Sequence, residues 1–486
     1  MKVSAIVGAL YGLLATVEGT LYRWPSPYDE IEDILSLQSG YLARNFVAGV
    51  TPCSQGGNVK GRQNAAEWIR TAFHDMITHN QRAGTGGLDG SIWFETTRPE
   101  NNARAFNNTF NFFNYLYSTR ASAADLLAMS VVVSHSGCGG TTKIPFRYGR
   151  ADAPAAGPYG VPETHTPLDT TTQRFLDAGV SREEMILLVA CGHTLGGVHS
   201  VDFPELSPGS SDPFNDTVTH FDSTPHAFDN AIATEFVKGT TRNPLVIAAN
   251  DTQNSDKRIF NSDRGKVMQT MARKASTFEQ RCSQVFSKMI DTVPRNVRLS
   301  SPIEPIDIKP YITDLTTEGA RAGRDPNDLS AHITYADRRG WGSVKVATTQ
   351  AGPTQGLYGE TFTWFEFTTT ISPSSGISKF YIHLTVPSKK RTTLHTNWLL
   401  GYPVDDALLY QRAASCVSRT SVNGGRPMTA TVAVLKSRAS APLTMDVVRI
   451  QTRSGTLVRS LTTETLPFAK NGEERDGYVF LRRPSL

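Results

Sequence analysis

Apolar residues recur at helical spacing through the first part of the chain, and alternate with polar ones in strand fashion through much of the rest. Met185 to Ala190 is an unbroken apolar run. It follows Ser181 and Glu184, a pair spaced as a capping box, and reads as a buried helix ending near His193. Ser122 with Asp125 opens another helix, ending near Ser136, in the same way. Phe278 to Ile290, FEQRCSQVFSKMI, has helical apolar spacing and closes the helical part. After Val297 the texture changes: SSPIEPIDIKP is rich in proline and reads as a linker. In ISKFYIHLTV, residues Phe380, Ile382, Leu384 and Val386 share one strand face, while Lys379, Tyr381, His383 and Thr385 share the other. MTATVAVL, LTMDVVRIQTRSGTLVRS and DGYVFL repeat that texture, with Asn423-Gly424, Ser454-Gly455 and Asn471-Gly472 available as turns. The pattern predicts a mainly α domain over 20–297, a linker and irregular segment over 298–355, and an all-β domain over 356–486, best fitted by a β-sandwich.

A chain of 486 residues suits two domains better than one core. Residues 1–19, MKVSAIVGALYGLLATVEG, have a basic end, an apolar stretch and small residues at the close, and read as a cleaved secretory signal. No other stretch reaches the roughly 18 apolar residues of a membrane span, so a secreted mature protein is expected. Sequons at Asn107, Asn215 and Asn250 would be usable in that compartment. Basic and acidic residues nearly balance, 49 against 45, and no basic run marks a nucleic-acid stripe. Five cysteines is an odd count, which leaves at least one outside any internal bridge.

The candidate chemistry sits in two short segments. In RTAFHD, Arg70 and His74 stand four apart and share a helix face, with Phe73 beside them. In CGHTLGG, His193 follows the buried apolar run. A lone core histidine is more often a packed residue than a ligand, but further segments match in order. Together they resemble the non-animal haem peroxidases, within them the secreted fungal branch, over about residues 40 to 290.

That resemblance implies a haem b, two calcium ions, and residue roles on both sides of the haem. Arg70, Phe73 and His74 match the distal Arg, aromatic and His. Asp75, Gly87, Asp89 and Ser91, the last three in GLDGS, match a distal calcium site made of hard oxygen donors. Glu95 and Asn101 resemble a hydrogen-bond chain running to the distal His, with Asn101 preferred over Asn102 on its spacing of six from Glu95. His193 matches the axial iron ligand. Thr194, Asp222, Thr224, the backbone at Ala227, and Asp229 match a proximal calcium site. Phe221 falls where some relatives carry Trp, and Asp263, in NSDRG, matches the aspartate that accepts a hydrogen bond from the axial His. Cys53 and Cys138 resemble a family disulfide. Cys282 and Cys416 are candidates to link the domains, leaving Cys191 buried and reduced.

Departures from the family matter too. His199 stands where manganese-oxidising relatives carry an acid, so no manganese site follows despite Glu30 and Glu32; it resembles a propionate-contacting histidine. Leu188 stands where ligninolytic relatives carry an exposed Trp. FRYGRADAP and GPYGVPE resemble the loop along the haem-edge channel. The expectation is a secreted monomer that reduces hydrogen peroxide to water and oxidises small phenolic or dye-like donors at the haem edge. The β domain would bind a wall polysaccharide through exposed aromatics such as Trp364 or Trp398, unless these pack in its core. The alternative is a haem-bearing wall or adhesion protein whose peroxidase activity is vestigial; a visible spectrum taken with and without peroxide separates the two.

Overall fold

The computed structural model describes residues 22–57, 59–101, 104–314, 317–322, 328–421, 425–454, 456 and 459–483. The expected signal at 1–19 lies outside them, as does the Asn423-Gly424 turn and half of Ser454-Gly455. No helix among the described residues is long and apolar enough to cross a membrane.

Helices dominate up to Asp291. Ser181 and Glu184 form the capping box that opens Arg182–Gly192, satisfying backbone N–H groups that the first turn leaves free. Ser122 Oγ accepts from Asp125 N at 3.0 Å and opens Ala123–Gly137. That helix is apolar all round and almost wholly buried, so it runs through the centre of the domain. Asn64–Met76 packs against it, burying Trp68, Ile69, Ala72 and Met76 and leaving Arg70 and Phe73 on its other side. Disulfides tie Cys53 to Cys138 and Cys191 to Cys282. The second bridge corrects the expectation of a reduced Cys191 and a Cys282–Cys416 link, because Cys191 ends its helix against the buried face of Ala275–Asp291; Cys416 is free and exposed.

Antiparallel strands fill the remainder in several sheets. They begin at Ile308, so 298–355 is not the irregular linker that its prolines suggested. One sheet orders Ser39–Gly40, Thr349–Gln355, Thr361–Phe367, Thr317–Ala322 and Ile308–Asp314. A second is built on Lys379–Val386, whose alternation of inward Phe380, Ile382, Leu384 and Val386 follows the sequence pattern. The two pack face to face through Phe365 and Phe367 against Phe380, Ile382 and Leu384. A third sheet, Leu408–Tyr410, Met428–Leu435, Tyr478–Arg483 and Ala469–Arg475, has its own cores. The strand region is thus a face-to-face pair followed by a separate sheet, in place of one sandwich over 356–486. Asn471-Gly472 lies inside a strand at a register shift; the turn is Asp476-Gly477, both at positive φ as a two-residue hairpin requires.

The two regions interlock. Ser39 and Gly40 pair with Gln355 and Thr354 as the edge strand of the first sheet. Lys309 Nζ, 1 % exposed, reaches Glu32 Oε2 at 2.7 Å and Asp33 Oδ1 at 2.6 Å on the helix Asp29–Ser36. Asn397 holds both backbone groups of Trp24. Trp364 is fully buried with Leu37 and Phe362, its Nε1 donating to Thr354 Oγ1 at 2.7 Å, so it is core and not a surface platform.

Candidate active site

Between the helices Asn64–Met76 and Arg182–Gly192 lies a cavity of about 1520 Å³, mouth included. Arg70, Phe73, His74, His193, His199, Phe221 and Leu188 all line it. Its walls are otherwise largely apolar, with Ile69, Val189, Leu195, Val198, Leu245 and Ile259 among them.

On one wall, His74 Nδ1 lies 2.8 Å from Asn101 Oδ1. An amide oxygen only accepts, so Nδ1 carries the proton and Nε2 keeps its lone pair. Asn101 Nδ2 in turn donates to the backbone oxygen of Glu95 at 3.2 Å. The Glu95 carboxylate is engaged elsewhere, accepting from Gly157 N at 2.6 Å and pairing with Arg98 at 3.2 Å. Burial, then the charge of Arg70, pulls His74 down to about 3, so it is neutral at ordinary pH. Burial also lowers Arg70, to about 10, which leaves it charged; its guanidinium lies 5.0 Å from the Phe106 ring centre and 5.7 Å from that of Phe203. Phe73 stands edge-on to His74, with centroids 5.8 Å apart.

On the opposite wall, His193 caps the C-terminus of Arg182–Gly192. Its ring stacks on Phe221 at 4.2 Å. Its Nδ1 lies 2.8 Å from Asp256 Oδ2, which also accepts from Asn243 Nδ2 at 2.8 Å. Donation to a carboxylate fixes the proton on Nδ1 and frees Nε2 for a ligand. Asp263 therefore does not hold the axial histidine. Its oxygens accept from Lys266 N and Val267 N and cap the helix Lys266–Arg273. Sequence reasoning missed Asp256 and Asn243. Asn254-Ser255-Asp256 and Asn261-Ser262-Asp263 are the same triplet seven residues apart, and the first is the one that reaches His193.

Two oxygen-rich clusters flank these walls. Asp75 is fully buried and accepts from Gly90 N and Ile92 N, with Ser91 Oγ 3.3 Å away. Burial, then the neighbouring Asp89, raises Asp75 well above the carboxylate range. Gly87 is at φ +110°, and a Cβ there would stand 2.6 Å from the Thr292 carbonyl oxygen, so only glycine fits. In the other cluster Thr194 Oγ1 donates to the Asp229 carbonyl at 2.6 Å and Thr224 Oγ1 to Asp229 Oδ1 at 3.0 Å. Ala227 N donates to Thr224 O, and Asp222 Oδ2 is buried without a partner. Burial pushes Asp222 up to about 7. An orphaned carboxylate oxygen in one cluster and a mutually repelling pair in the other suit a hard cation. Neither cluster brings together three or more His, Cys, Asp or Glu among the described residues, since hydroxyls and carbonyls make up the rest.

Glu30 pairs with Arg44, and Glu32 with Lys309, so neither acid faces the cavity. Leu188 is buried in the cavity wall. Pro162, of the GPYGVPE segment, lines the cavity, whereas Arg150, of FRYGRADAP, is buried on Asp125 and the Ile290 carbonyl.

Two histidines line one largely apolar cavity, one with an arginine beside it, and the helical half that builds this cavity is a domain of the plant and fungal peroxidase superfamily. The family model described as Peroxidase matches residues 55–277. A versatile peroxidase of Pleurotus eryngii is 34 % identical over 185 residues, 36 % of this chain and 47 % of that protein. A manganese peroxidase of Phanerodontia chrysosporium is 33 % identical over 191 residues, 37 % of this chain and 46 % of that protein. A WSC domain-containing protein of Arthroderma benhamiae is 37 % identical over 397 residues, 77 % of this chain and 54 % of that protein. That last span is too long for the helical half alone and takes in part of the strand region. The chain spans about half the length of these relatives. Similarity to these peroxidases implies haem.

Proposed function

We propose that the protein is a secreted haem peroxidase that reduces hydrogen peroxide and oxidises small phenolic or dye-like donors in one-electron steps. The observation that carries this reading is the pair of imidazoles, His74 and His193, each tied at Nδ1 so that Nε2 is left for the shared cavity. A haem bound there would supply the iron at which peroxide binds and the oxidising equivalents passed to donors. His193 Nε2 is the nitrogen that would hold the iron, and Asp256 with Asn243 orients it. Neutral His74 takes a proton from one peroxide oxygen and returns it to the other. Arg70 offsets the charge that grows on the departing oxygen. Calcium at Asp75, Gly87, Asp89 and Ser91, and at Thr194, Asp222, Thr224, Ala227 and Asp229, would hold the loops next to both histidines.

The disulfides suit an oxidising compartment. Asn107, Asn215 and Asn250 are exposed, as glycosylation requires. Trp398 and Trp341, 48 % and 75 % exposed, offer rings at which the strand region would meet a polysaccharide. The test is His74→Leu in the haem-loaded chain. Haem uptake should persist while peroxide consumption falls about 10²–10⁴-fold, the span general acid–base catalysis contributes; turnover at the unaltered rate would overturn the assignment.

A further inference from the structure

A second cavity, of about 630 Å³ with its mouth included, lies where the helical and strand regions meet, and shares no lining residue with the one between the histidines. The helical region contributes Leu35 and Ser36, at the end of Asp29–Ser36, and Val132 on the central helix Ala123–Gly137. Leu357 and Tyr358, between the strands Thr349–Gln355 and Thr361–Phe367, come from the other region, and Ile303 from the connection. The walls are largely apolar, yet the hydroxyl oxygens of Ser36 and Tyr358 are buried with no hydrogen-bond partner among the described residues. Ser36 is 3 % exposed. A helical serine ordinarily gives its proton to a carbonyl one turn back, as Ser130 does to Leu127 at 2.7 Å; Ser36 makes no such bond. The Ile144 N–H faces the Tyr358 oxygen, and burial pushes this phenol up to about 12, so it keeps its proton and lacks an acceptor.

Charged groups at the cavity are already engaged. Lys143 Nζ meets Glu304 Oε2 at 3.0 Å, and Glu360 Oε2 accepts from Tyr358 N at 2.9 Å. An ionic occupant would have to break one of these contacts, so a neutral one fits. Phe146 and the Tyr358 ring offer flat walls to an aromatic body. Cavities of roughly 300–1,000 Å³ with apolar walls and few polar groups, set where domains meet, are the usual seats of small molecules. A donor without an acceptor is met by an oxygen that accepts and cannot donate, which a carbonyl supplies. We propose that this junction cavity binds a small neutral aryl ketone or aldehyde, whose oxygen accepts from the Tyr358 hydroxyl with Ser36 as the second donor. Seated there, the molecule touches both regions of the chain.

The probe is 4-fluoroacetophenone, followed by fluorine NMR in the haem-loaded full chain, beside 4-fluorotoluene, which lacks the oxygen, and 4-fluorobenzoate, which carries a charge. The ketone should bind more tightly than either. Its Kd should rise about 5-fold in Tyr358→Phe and in Ser36→Ala, the size of one net hydrogen bond, while 4-fluorotoluene is indifferent to both substitutions. Leu357→Trp fills this cavity and leaves the one between the histidines open, so it should remove the ketone signal with haem absorbance per protein unchanged. A ketone that binds no better than 4-fluorotoluene, or one whose Kd neither hydroxyl substitution alters, overturns the site. Ketone binding that persists in full in Leu357→Trp also overturns it, by placing the molecule elsewhere.

Discussion

The hydrogen bond from His193 Nδ1 to Asp256 decides what the axial imidazole can do, because a proton shared with a buried carboxylate leaves Nε2 more basic. Asp256→Asn should therefore lower peroxide turnover about 10–100-fold and alter the spectrum of the haem-loaded protein. Asp263→Asn should leave both alone and shift thermal melting little, since Asn and Asp serve about equally well at a helix N-terminus. Equal effects of the two substitutions would contradict this division. At this scale Arg70, His74 and His193 were legible, because their neighbours in sequence are also their neighbours in space. Asp256 was not: it reaches His193 from 63 residues away, and a second Asn-Ser-Asp triplet offers the same letters. Cys191 misled for a similar reason, since its partner Cys282 is 91 residues distant and only the packing of two helices brings them together.

Elements carry the calcium proposal. The end of Asn64–Met76 with the loop after it, and Thr194 with the segment after the strand Val218–His220, each gather buried oxygens that repel one another, or stand unpartnered, without a cation. A chelator should lower the melting temperature of the haem-loaded protein by roughly 6–12 °C, as expected for losing about 3 kcal/mol of ligand stabilisation in a domain of this size, and added calcium should restore it. A melting point indifferent to both would refute calcium at these clusters. Helix starts were readable because Ser122 and Ser181 announce them through local bonds. Strand limits were less so. The stretch from Thr349 to Gln355, TQAGPTQ, carries Gly and Pro that read as a loop, yet register with Thr361–Phe367 and a shift near Gly352 accommodate them.

Across the whole molecule, the helical and strand regions share a sheet edge, a buried ion cluster and an apolar contact. They are therefore not beads on a linker. Cutting the chain after residue 297 removes Lys309 and with it the buried ion cluster on Glu32 and Asp33. It also uncovers Leu37, which packs with Phe362 and Trp364. The isolated helical part should melt well below the full chain or fail to fold; an equal melting point would contradict the interlock. The sequence pattern separated α from β correctly, but contacts between the regions rest on single residues such as Lys309 and Asn397, which carry no periodic signal.

If His193 and His74 hold a haem and a peroxide between them as proposed, the haem spectrum reads that arrangement out. Haem-loaded protein is mixed with one equivalent of hydrogen peroxide, the haem absorption band is followed, and a phenol is then added. A rapid shift of the band that the phenol reverses is the expected outcome. A band that peroxide leaves unmoved would contradict it.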